Sequence, residues 1–313
     1  MFAAGILGYM LWSVRDSLVP AAQHIVYPYL LIAIGVGILT WYTRGGRYQY
    51  ILKKLETPCS LTYATATILI GQIVNIIVPA RLGDFTRIFI LYKDKGTPYT
   101  KGFSSVIEER LFDIGAIALL SALTLPFLNR LLPEWMIQLI LFVLILGIVT
   151  LITLYLSKYL SLQHKIFTKL LEIIGQIRSL SLTPRSIILL GCSSLLIWTG
   201  ETAICYLIAQ MFQVTVSCIL VLFAVTIANL SKTLPLTPGG IGVYEIIVTS
   251  VLSLGGIPLA TATLIAVIDH LIKNILPIIG GIYALYYFGD WATTLLRNIS
   301  RDGKTAFKKE EKN

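Results

Sequence analysis

The chain has 313 residues, of which 56% are hydrophobic and 13% are charged, and its mean hydropathy is +0.80. Because soluble domains carry about 25% charged residues, this composition excludes an ordinary soluble protein and indicates an integral membrane protein. The net charge of +9 lies mostly between apolar runs and at the C-terminus, which is typical of membrane topology and argues against a nucleic-acid partner.

Apolar runs of about 20 residues, enough to span a membrane, predict an all-α, polytopic transmembrane helix bundle that forms one domain over 1–313. In chain order the candidate runs are 1–14, 25–43, 60–80, 103–127, 133–156, 186–209, 217–235, 241–256 and 258–289. The last run is long enough to form one tilted helix or two pieces broken near Lys273 to Pro277.

Basic residues in short loops predict the orientation, because such loops stay on the cytoplasmic side. On this rule the loop at 44–54, the segment 157–185 and the C-terminal tail are cytoplasmic. The sequence therefore predicts a multi-pass protein of the cell membrane with its C-terminus in the cytoplasm.

The segment 81–101 is basic as well, although only the run 60–80 separates it from the loop at 44–54. A full crossing would place these two basic segments on opposite sides of the membrane. We therefore predict that 60–92 is a re-entrant hairpin that enters the membrane, breaks at Pro79 and returns. The alternative is a full span followed by an unusually basic external loop.

The segment 157–185 carries apolar residues spaced to form one face of a helix, which predicts an amphipathic helix on the cytoplasmic surface. Those residues are Ile166, Leu170, Ile173, Ile174 and Ile177. The helix would join two halves at about 25–156 and 186–290. Each half has an apolar helix that breaks at a proline before a carboxylate, so an inverted repeat is a reasonable expectation.

Two stretches, 75–84 and 234–245, place prolines, glycines and charges inside apolar sequence. Backbone that leaves the helix inside lipid is tolerated only where protein buries it or where it lines a wet cavity. Two such breaks indicate a transporter's binding site, and we expect them to converge on one polar cavity. The candidate substrate-binding residues of the breaks are Asn75, Pro79, Arg81, Gly83, Asp84, Arg87, Pro235, Pro238, Gly239, Gly240, Gly242 and Glu245.

Glycines in the second break let the backbone turn sharply and let a ligand approach it closely. The helix that follows Gly242 would present free N–H groups to a phosphate, and an ordinary interfacial turn is the alternative. The sequence excludes a dinucleotide-binding or P-loop site, because no strand precedes the glycines and no Gly-Lys-Ser/Thr follows them.

Glu109, Arg110 and Asp113 lie three or four residues apart and share one side of a helix. Charges within a membrane usually face the bundle interior and pair. These three residues are therefore predicted to form a headgroup or ion site, with an ion pair at the helix end as the alternative.

Asp269 and Lys273 lie four residues apart in the last apolar run and can pair. Lys273 is the remaining candidate for substrate binding. The pair would act as a proton relay or phosphate contact, or as a structural pair that lets the helix bend at Pro277. Glu201 lies deep in its own run and is predicted to be protonated or paired with a lysine.

The sequence contains no Gly-x-Ser-x-Gly or His-Glu-x-x-His motif, and its four cysteines and three histidines lack metal-ligand spacing. We therefore expect neither enzymatic activity nor a metal nor a cofactor.

Three motifs follow one another along the chain: Asn75-x-x-x-Pro79-x-Arg81-x-Gly83-Asp84-x-x-Arg87, Glu109-Arg110-x-x-Asp113 and Pro238-Gly239-Gly240-x-Gly242-x-x-Glu245. Together they resemble the lysylphosphatidylglycerol synthase transmembrane region, the flippase-like domain of the multiple peptide resistance factor. The resemblance covers nearly the whole chain and implies a helical domain that moves lipids between leaflets. One departure is Asp84, where the family is expected to have glutamate. A soluble synthase domain is not expected, because the chain stops soon after its last apolar run.

We hypothesise from this resemblance a flippase or scramblase-like protein for a phospholipid or a polyprenyl-phosphate or glycolipid. The arginines expected to bind its phosphate are Arg81, Arg87 and Arg110. The carboxylates expected to pair with them in the empty site, or to bind an amine-bearing headgroup, are Asp84, Glu109, Asp113 and Glu245.

The alternatives are an ion- or proton-coupled transporter of a small soluble solute, and a non-transporting subunit that supports a glycosyltransferase or lipid synthase. Expected partners are membrane lipids and such an enzyme, and a homo-oligomer is left open. Since no ATP-binding motif is present, the drive is expected to come from an ion gradient or the lipid gradient.

Overall fold

A computed structural model describes residues 2–13, 15–16, 20, 25–78, 81–128, 131–156, 165–232, 237–289 and 293. Within these residues the regular structure is helical, which confirms the predicted all-α polytopic bundle. The helices are α1 (Phe2–Ser13), α2 (Pro28–Lys54), α3 (Leu61–Ile77), α4 (Gly83–Lys95), α5 (Tyr99–Leu128), α6 (Glu134–Leu156), α7 (Lys165–Ser181), α8 (Pro184–Met211), α9 (Cys218–Ser231), α10 (Val243–Leu254) and α11 (Leu259–Phe288), with a 3-10 turn at Pro238–Gly240.

Four of the described helices are long and apolar enough to cross a membrane, and they match four of the predicted runs. They are Tyr99–Leu128, Met136–Leu156, Pro184–Met211 and Leu259–Phe288. On α6, Phe142 and Ile145 are exposed, as expected of side chains that face lipid. The last apolar run forms one helix that continues through Pro277, rather than two pieces.

The chain forms two compact units. Unit 1 comprises Met1–Trp41, Ile117–Leu141 and Leu195–Pro277, and unit 2 comprises Tyr42–Ala116, Phe142–Ser194 and Ile278–Asn313. Each unit takes chain from both predicted halves, 25–156 and 186–290. The internal repeat and the division into halves stay predictions.

Unit 2 contains a helical hairpin in which α3 packs against α4. The helices approach so closely at two glycines that a Cβ on Gly83 would lie 1.8 Å from the backbone oxygen of Gly71. Asn75 joins the two arms, since its Oδ1 accepts the N–H of Gly83 at 2.9 Å. Pro79 lies outside the described residues, and the re-entrant path of 60–92 stays a prediction.

Unit 1 contains a second helical hairpin, in which α9 packs against α10. The glycines Gly239, Gly240 and Gly242 have φ angles of 62°, 76° and 89°, in the left-handed region that favours glycine. The helical path is therefore broken there, as predicted. Pro235 lies outside the described residues.

The structure corrects the predicted loop at 44–54. Helix α2 continues to Lys54, although the basic residues of this segment suggested a loop. At Gly45 the missing side chain serves close helix packing, because a Cβ there would lie 1.9 Å from the Oγ1 of Thr65 on α3. The prediction of a loop is wrong, and Arg47 lies within a helix.

Part of the predicted segment 157–185 is helical, as α7, and residues 157–164 lie outside the described part. Near its end, Leu180 packs against Ile51, Leu55 and Leu190. This contact ties α7 to α2 and α8 within unit 2. Its position on the cytoplasmic surface stays a prediction.

Gly83→Ala should destabilise the protein by about 1–3 kcal/mol, because the new methyl group would overlap backbone in a hairpin that cannot open without losing its packing. The matched control is Gly115→Ala on α5, where a Cβ would meet nothing within 4 Å, and where alanine stabilises the helix by up to about 1 kcal/mol. Thermal unfolding of both purified variants in detergent measures the difference. An equal midpoint for the two would contradict the tight approach of α3 and α4.

Candidate functional site

Six charged side chains of unit 2 form a group beside the first hairpin, here named the arginine cluster. They are Arg47 on α2, Asp84 and Arg87 on α4, and Glu109, Arg110 and Asp113 on α5. The hairpin and the start of α5 therefore bring together the charged residues of the first two sequence motifs.

Arg47 is the centre of the buried part of this cluster. Its Nη1 and Nη2 donate to the two carboxylate oxygens of Asp113 at 2.6 and 3.1 Å. Nη2 also donates to Oε1 of Glu109 at 3.0 Å, and Nη1 to the hydroxyl of Ser194 at 2.7 Å. The Arg47 side chain is 0% exposed. This one guanidinium therefore joins α2, α5 and α8.

Glu109 connects Arg47 to the hairpin. Its second oxygen, Oε2, accepts a hydrogen bond from Nη2 of Arg87. The Arg87 guanidinium also lies over the ring of Tyr48, 4.1 Å from the ring centroid, a favourable cation–π position. Buried charges are stable only when paired and hydrogen-bonded, and Arg87 has both kinds of support.

Asp84 and Arg110 form the outer part of the cluster. Nη2 of Arg110 donates to both oxygens of Asp84, at 2.8 and 3.0 Å. Their side chains are 30% and 15% exposed for Arg110 and Asp84, respectively. Arg81 lies within electrostatic reach of this pair, and its φ of 55° is left-handed. The outer pair is thus the accessible part of an otherwise buried network.

The pairing differs in part from the prediction. Asp84 with Arg110 and Glu109 with Arg87 pair as expected, whereas Asp113 pairs with Arg47. Sequence reasoning missed Arg47 because it was placed in a loop. A signal was present: buried residues Tyr48, Ile51, Leu52 and Leu55 recur at the i, i+3, i+4, i+7 spacing of a helix.

Unit 1 holds a second polar group beside its own hairpin, here named the lysine cluster. Its members are Glu201 on α8, Lys232 after α9, Tyr244 and Glu245 on α10, and Asp269, His270 and Lys273 on α11. All but Lys232 are buried.

Lys273 is the most connected residue of this cluster. Its Nζ lies 2.8 Å from Oδ1 of Asp269 and 3.5 Å from Oε2 of Glu201. It also donates to the hydroxyl of Tyr244 at 3.0 Å, and that hydroxyl donates to Oδ2 of Asp269. The structure confirms the predicted Asp269–Lys273 pair, and of the two predictions for Glu201 it shows the lysine pairing.

Glu245 closes the glycine loop, residues 237–242, through two partners within unit 1. Its predicted pairing with an arginine of the first motif stays a prediction. Its Oε2 accepts the N–H of Gly242 at 2.7 Å, and its Oε1 lies 2.7 Å from Nδ1 of His270. The His270 ring stacks on Tyr244 with centroids 4.4 Å apart. One carboxylate thus links the loop to α11.

The amides of residues 240–242 are bonded within the chain. Gly240 N–H donates to Thr237 O at 3.1 Å, and Ile241 N–H donates to Pro238 O at 3.2 Å. The amide of Gly242 is bound to Glu245, and the predicted contact of a phosphate with the helix that follows Gly242 stays a prediction. The close approach at Gly240 is instead to Lys232, whose Cγ would lie 2.8 Å from an added Cβ.

The two clusters lie in different units, and their convergence on one cavity stays a prediction. Each cluster taken alone is a network of cations and carboxylates supplied by several helices. Chemically, the arginine cluster suits an anionic oxygen ligand. The lysine cluster has a histidine and can exchange protons.

The chain resembles membrane proteins of archaea and a described family. Residues 1–281 match the family described as the lysylphosphatidylglycerol synthase TM region. A protein named glycosyltransferase AglD, from Haloferax volcanii, is 27% identical over 289 residues, which cover 78% of this chain and 46% of that protein. This chain thus spans about half the length of that relative.

Two further relatives are UPF0104 membrane proteins and match over nearly their full length. The one from Methanocaldococcus jannaschii is 23% identical over 305 residues, covering 90% of each chain. The one from Methanothermobacter thermautotrophicus is 26% identical over 312 residues, covering 91% of each chain. These matches agree with a multi-pass membrane protein.

Arg47→Ala should cost about 3–5 kcal/mol of stability, because it leaves Asp113 and one oxygen of Glu109 buried without their cation. Arg47→Lys should fall between this variant and the wild type, since an ammonium keeps the charge but not the bidentate fork. Thermal unfolding in detergent measures both.

The control for Arg47 is Lys101→Ala, which removes a surface ion pair with Glu56, at 3.0 Å. Exposed pairs contribute at most about 1 kcal/mol, so this variant should unfold close to the wild type. If Arg47→Ala and Lys101→Ala unfold at the same temperature, Arg47 does not hold the cluster together.

Proposed function

Since this chain belongs to the lysylphosphatidylglycerol synthase TM region family, we propose that it moves a lipid with a phosphate-bearing headgroup between membrane leaflets. The cargo class is a phospholipid or a polyprenyl-phosphate or glycolipid. The arginine cluster is the headgroup site, and the acyl chains stay in the surrounding bilayer.

One observation carries this proposal: the Arg110–Asp84 pair is partly exposed, whereas the ion pairs of Arg47 and Arg87 with Glu109 beside it are buried. Both oxygens of Asp84 accept from one nitrogen of Arg110, Nη2, and a phosphate oxygen can take such charge-assisted hydrogen bonds as well. A headgroup phosphate would replace Asp84 at this position, and Arg81 would add a second cation.

The buried pairs beneath give the site its rigidity. Arg47 on α2 binds one oxygen of Glu109, and Arg87 on α4 binds the other. Because these groups are already paired and desolvated, they stay in place when the outer pair exchanges its carboxylate for a phosphate. Binding then costs little reorganisation.

A lipid cargo also agrees with the surface of the helices. The span-length helices carry large apolar side chains that are exposed, among them Leu123, Phe142 and Leu196. Such surfaces contact lipid in a membrane protein, so acyl chains remain in their normal environment while the headgroup alone meets charge.

We propose further that the chain is not itself an enzyme and that it cooperates with one. The support is its relation to a protein named glycosyltransferase AglD, of which it covers 46%. The partner would be a glycosyltransferase or lipid-synthesis enzyme that supplies or consumes the same lipid. Affinity purification of the tagged protein from native membranes, with detection of such an enzyme, tests this association.

We propose that the protein is located in the cell membrane, with its C-terminus in the cytoplasm. The support is the basic character of the tail, where Arg297, Arg301, Lys304, Lys308 and Lys309 cluster. Labelling of a cysteine placed in the tail by an impermeant reagent in intact cells tests this orientation, and strong labelling would contradict it.

Arg110→Ala should slow lipid movement by about 10- to 100-fold, because hydrogen bonds to a charged group contribute about 1.5–3 kcal/mol. Arg110→Lys should retain part of the rate. The measurement uses proteoliposomes that contain fluorescent phosphatidylglycerol or fluorescent polyprenyl phosphate, and follows the fraction of probe that an external quencher reaches over time.

Lys101→Ala is the matched control on the same helix, because its ion pair with Glu56 lies outside the cluster. It should move lipid at the wild-type rate. The proposal fails if wild-type protein moves neither probe faster than protein-free vesicles, or if Arg110→Ala is as fast as Lys101→Ala.

A further inference from the structure

We propose that the lysine cluster is a proton-binding site, in which Nε2 of His270 takes up one proton and thereby controls the closure of the glycine loop. Only a coupling of the proton to lipid movement rests on the proposed function. Proton binding itself needs no lipid. The ligand class is a single proton exchanged with water.

The hydrogen bond of His270 fixes where the proton binds. An ionised carboxylate only accepts hydrogen bonds, so Nδ1 of His270 must donate to Oε1 of Glu245, 2.7 Å away. In the neutral ring, Nε2 then carries the lone pair. Nε2 is buried and has no hydrogen-bond partner among the described residues, and the side chain is 1% exposed.

The formal charges around His270 leave room for one added proton. Three carboxylates face it or its neighbours: Glu201, Glu245 and Asp269. Two lysines oppose the proton, Lys232 over the Tyr244 ring and Lys273 in the ion pairs. With neutral His270 the cluster therefore carries one uncompensated negative charge, and one proton makes it neutral.

The remaining groups that face the cluster are weak acids. They are Tyr244 on α10 and Cys205 on α8. Both are neutral hydrogen-bonding groups at ordinary pH, so they do not change this balance. A buried net charge is costly, and removal of that cost favours proton uptake.

Proton uptake acts on the loop through Glu245. One oxygen of this carboxylate holds His270 and the other holds the N–H of Gly242. When His270 becomes an imidazolium, its bond to Glu245 becomes an ion pair and strengthens. The carboxylate is then fixed, and Gly242 is fixed with it. Loss of the proton weakens this link and lets the loop open.

The test is a pH jump on full-length protein in vesicles of phosphatidylglycerol and phosphatidylcholine adsorbed to a solid-supported membrane. A step to lower pH should give a transient current from wild-type protein as protons enter the buried site. His270→Gln should lose the transient, because the nitrogen of an amide is not basic. Glu245→Gln should also lose it, because the cluster is then neutral without the proton.

Thr263→Val is the matched control on α11, because the Thr263 hydroxyl bonds only to Leu259 O within its own helix. It should keep the wild-type transient. Monodispersity in gel filtration shows that each variant is folded, and if His270→Gln does not fold, Glu245→Gln decides. A wild-type transient in the folded variants overturns the proton site.

The same vesicles separate this inference from the lipid proposal. Arg110→Ala lies in the other unit and should keep the pH transient while it loses lipid movement. Wild-type protein that shows the transient but moves no lipid overturns the proposed function and leaves the proton site standing. Lipid movement without a transient overturns the proton site alone.

Discussion

A charge among apolar helices is stable only when an opposite charge meets it, and in both units this pairing joins several helices. Insertion of one charged side chain at the centre of a helix in lipid costs about 2.5–3.5 kcal/mol. Arg47 satisfies the rule with Asp113, Glu109 and Ser194, and Lys273 with Asp269 and Glu201. The helices that supply these partners are thereby held in one arrangement.

Residue spacing predicted the charged pairs that lie within one helix. The pairs between distant helices became visible only in the structure. Glu109 with Asp113, and Asp269 with Lys273, are four residues apart, so a helix alone brings each pair together. Arg47 meets Asp113 from 66 residues away. No pattern in a single sequence fixes such a distance, and the basic residues around Arg47 suggested a loop where the structure has a helix.

The same distinction explains the glycine loop. Its breaks were predictable, because three glycines and a proline beside apolar sequence cannot continue a helix. The use of its amides was not, because it depends on Glu245, which folds back onto Gly242. A carboxylate at the third position of a helix can bind the amide that precedes it, and here the amide of Gly242 is bonded in this way.

Pro277 gives the last helix a property that side chains alone would not provide. Proline has no N–H group, so the carbonyl oxygen four residues earlier, that of Lys273, receives no helical hydrogen bond. Lys273 therefore brings a carbonyl that lacks its helical hydrogen bond, as well as an ammonium group, to the same level of α11. Replacement of every ionisable side chain at this level by leucine would still leave a hydrophilic spot on the main chain. Part of the polarity at this level of the helix therefore comes from the backbone and not from side chains.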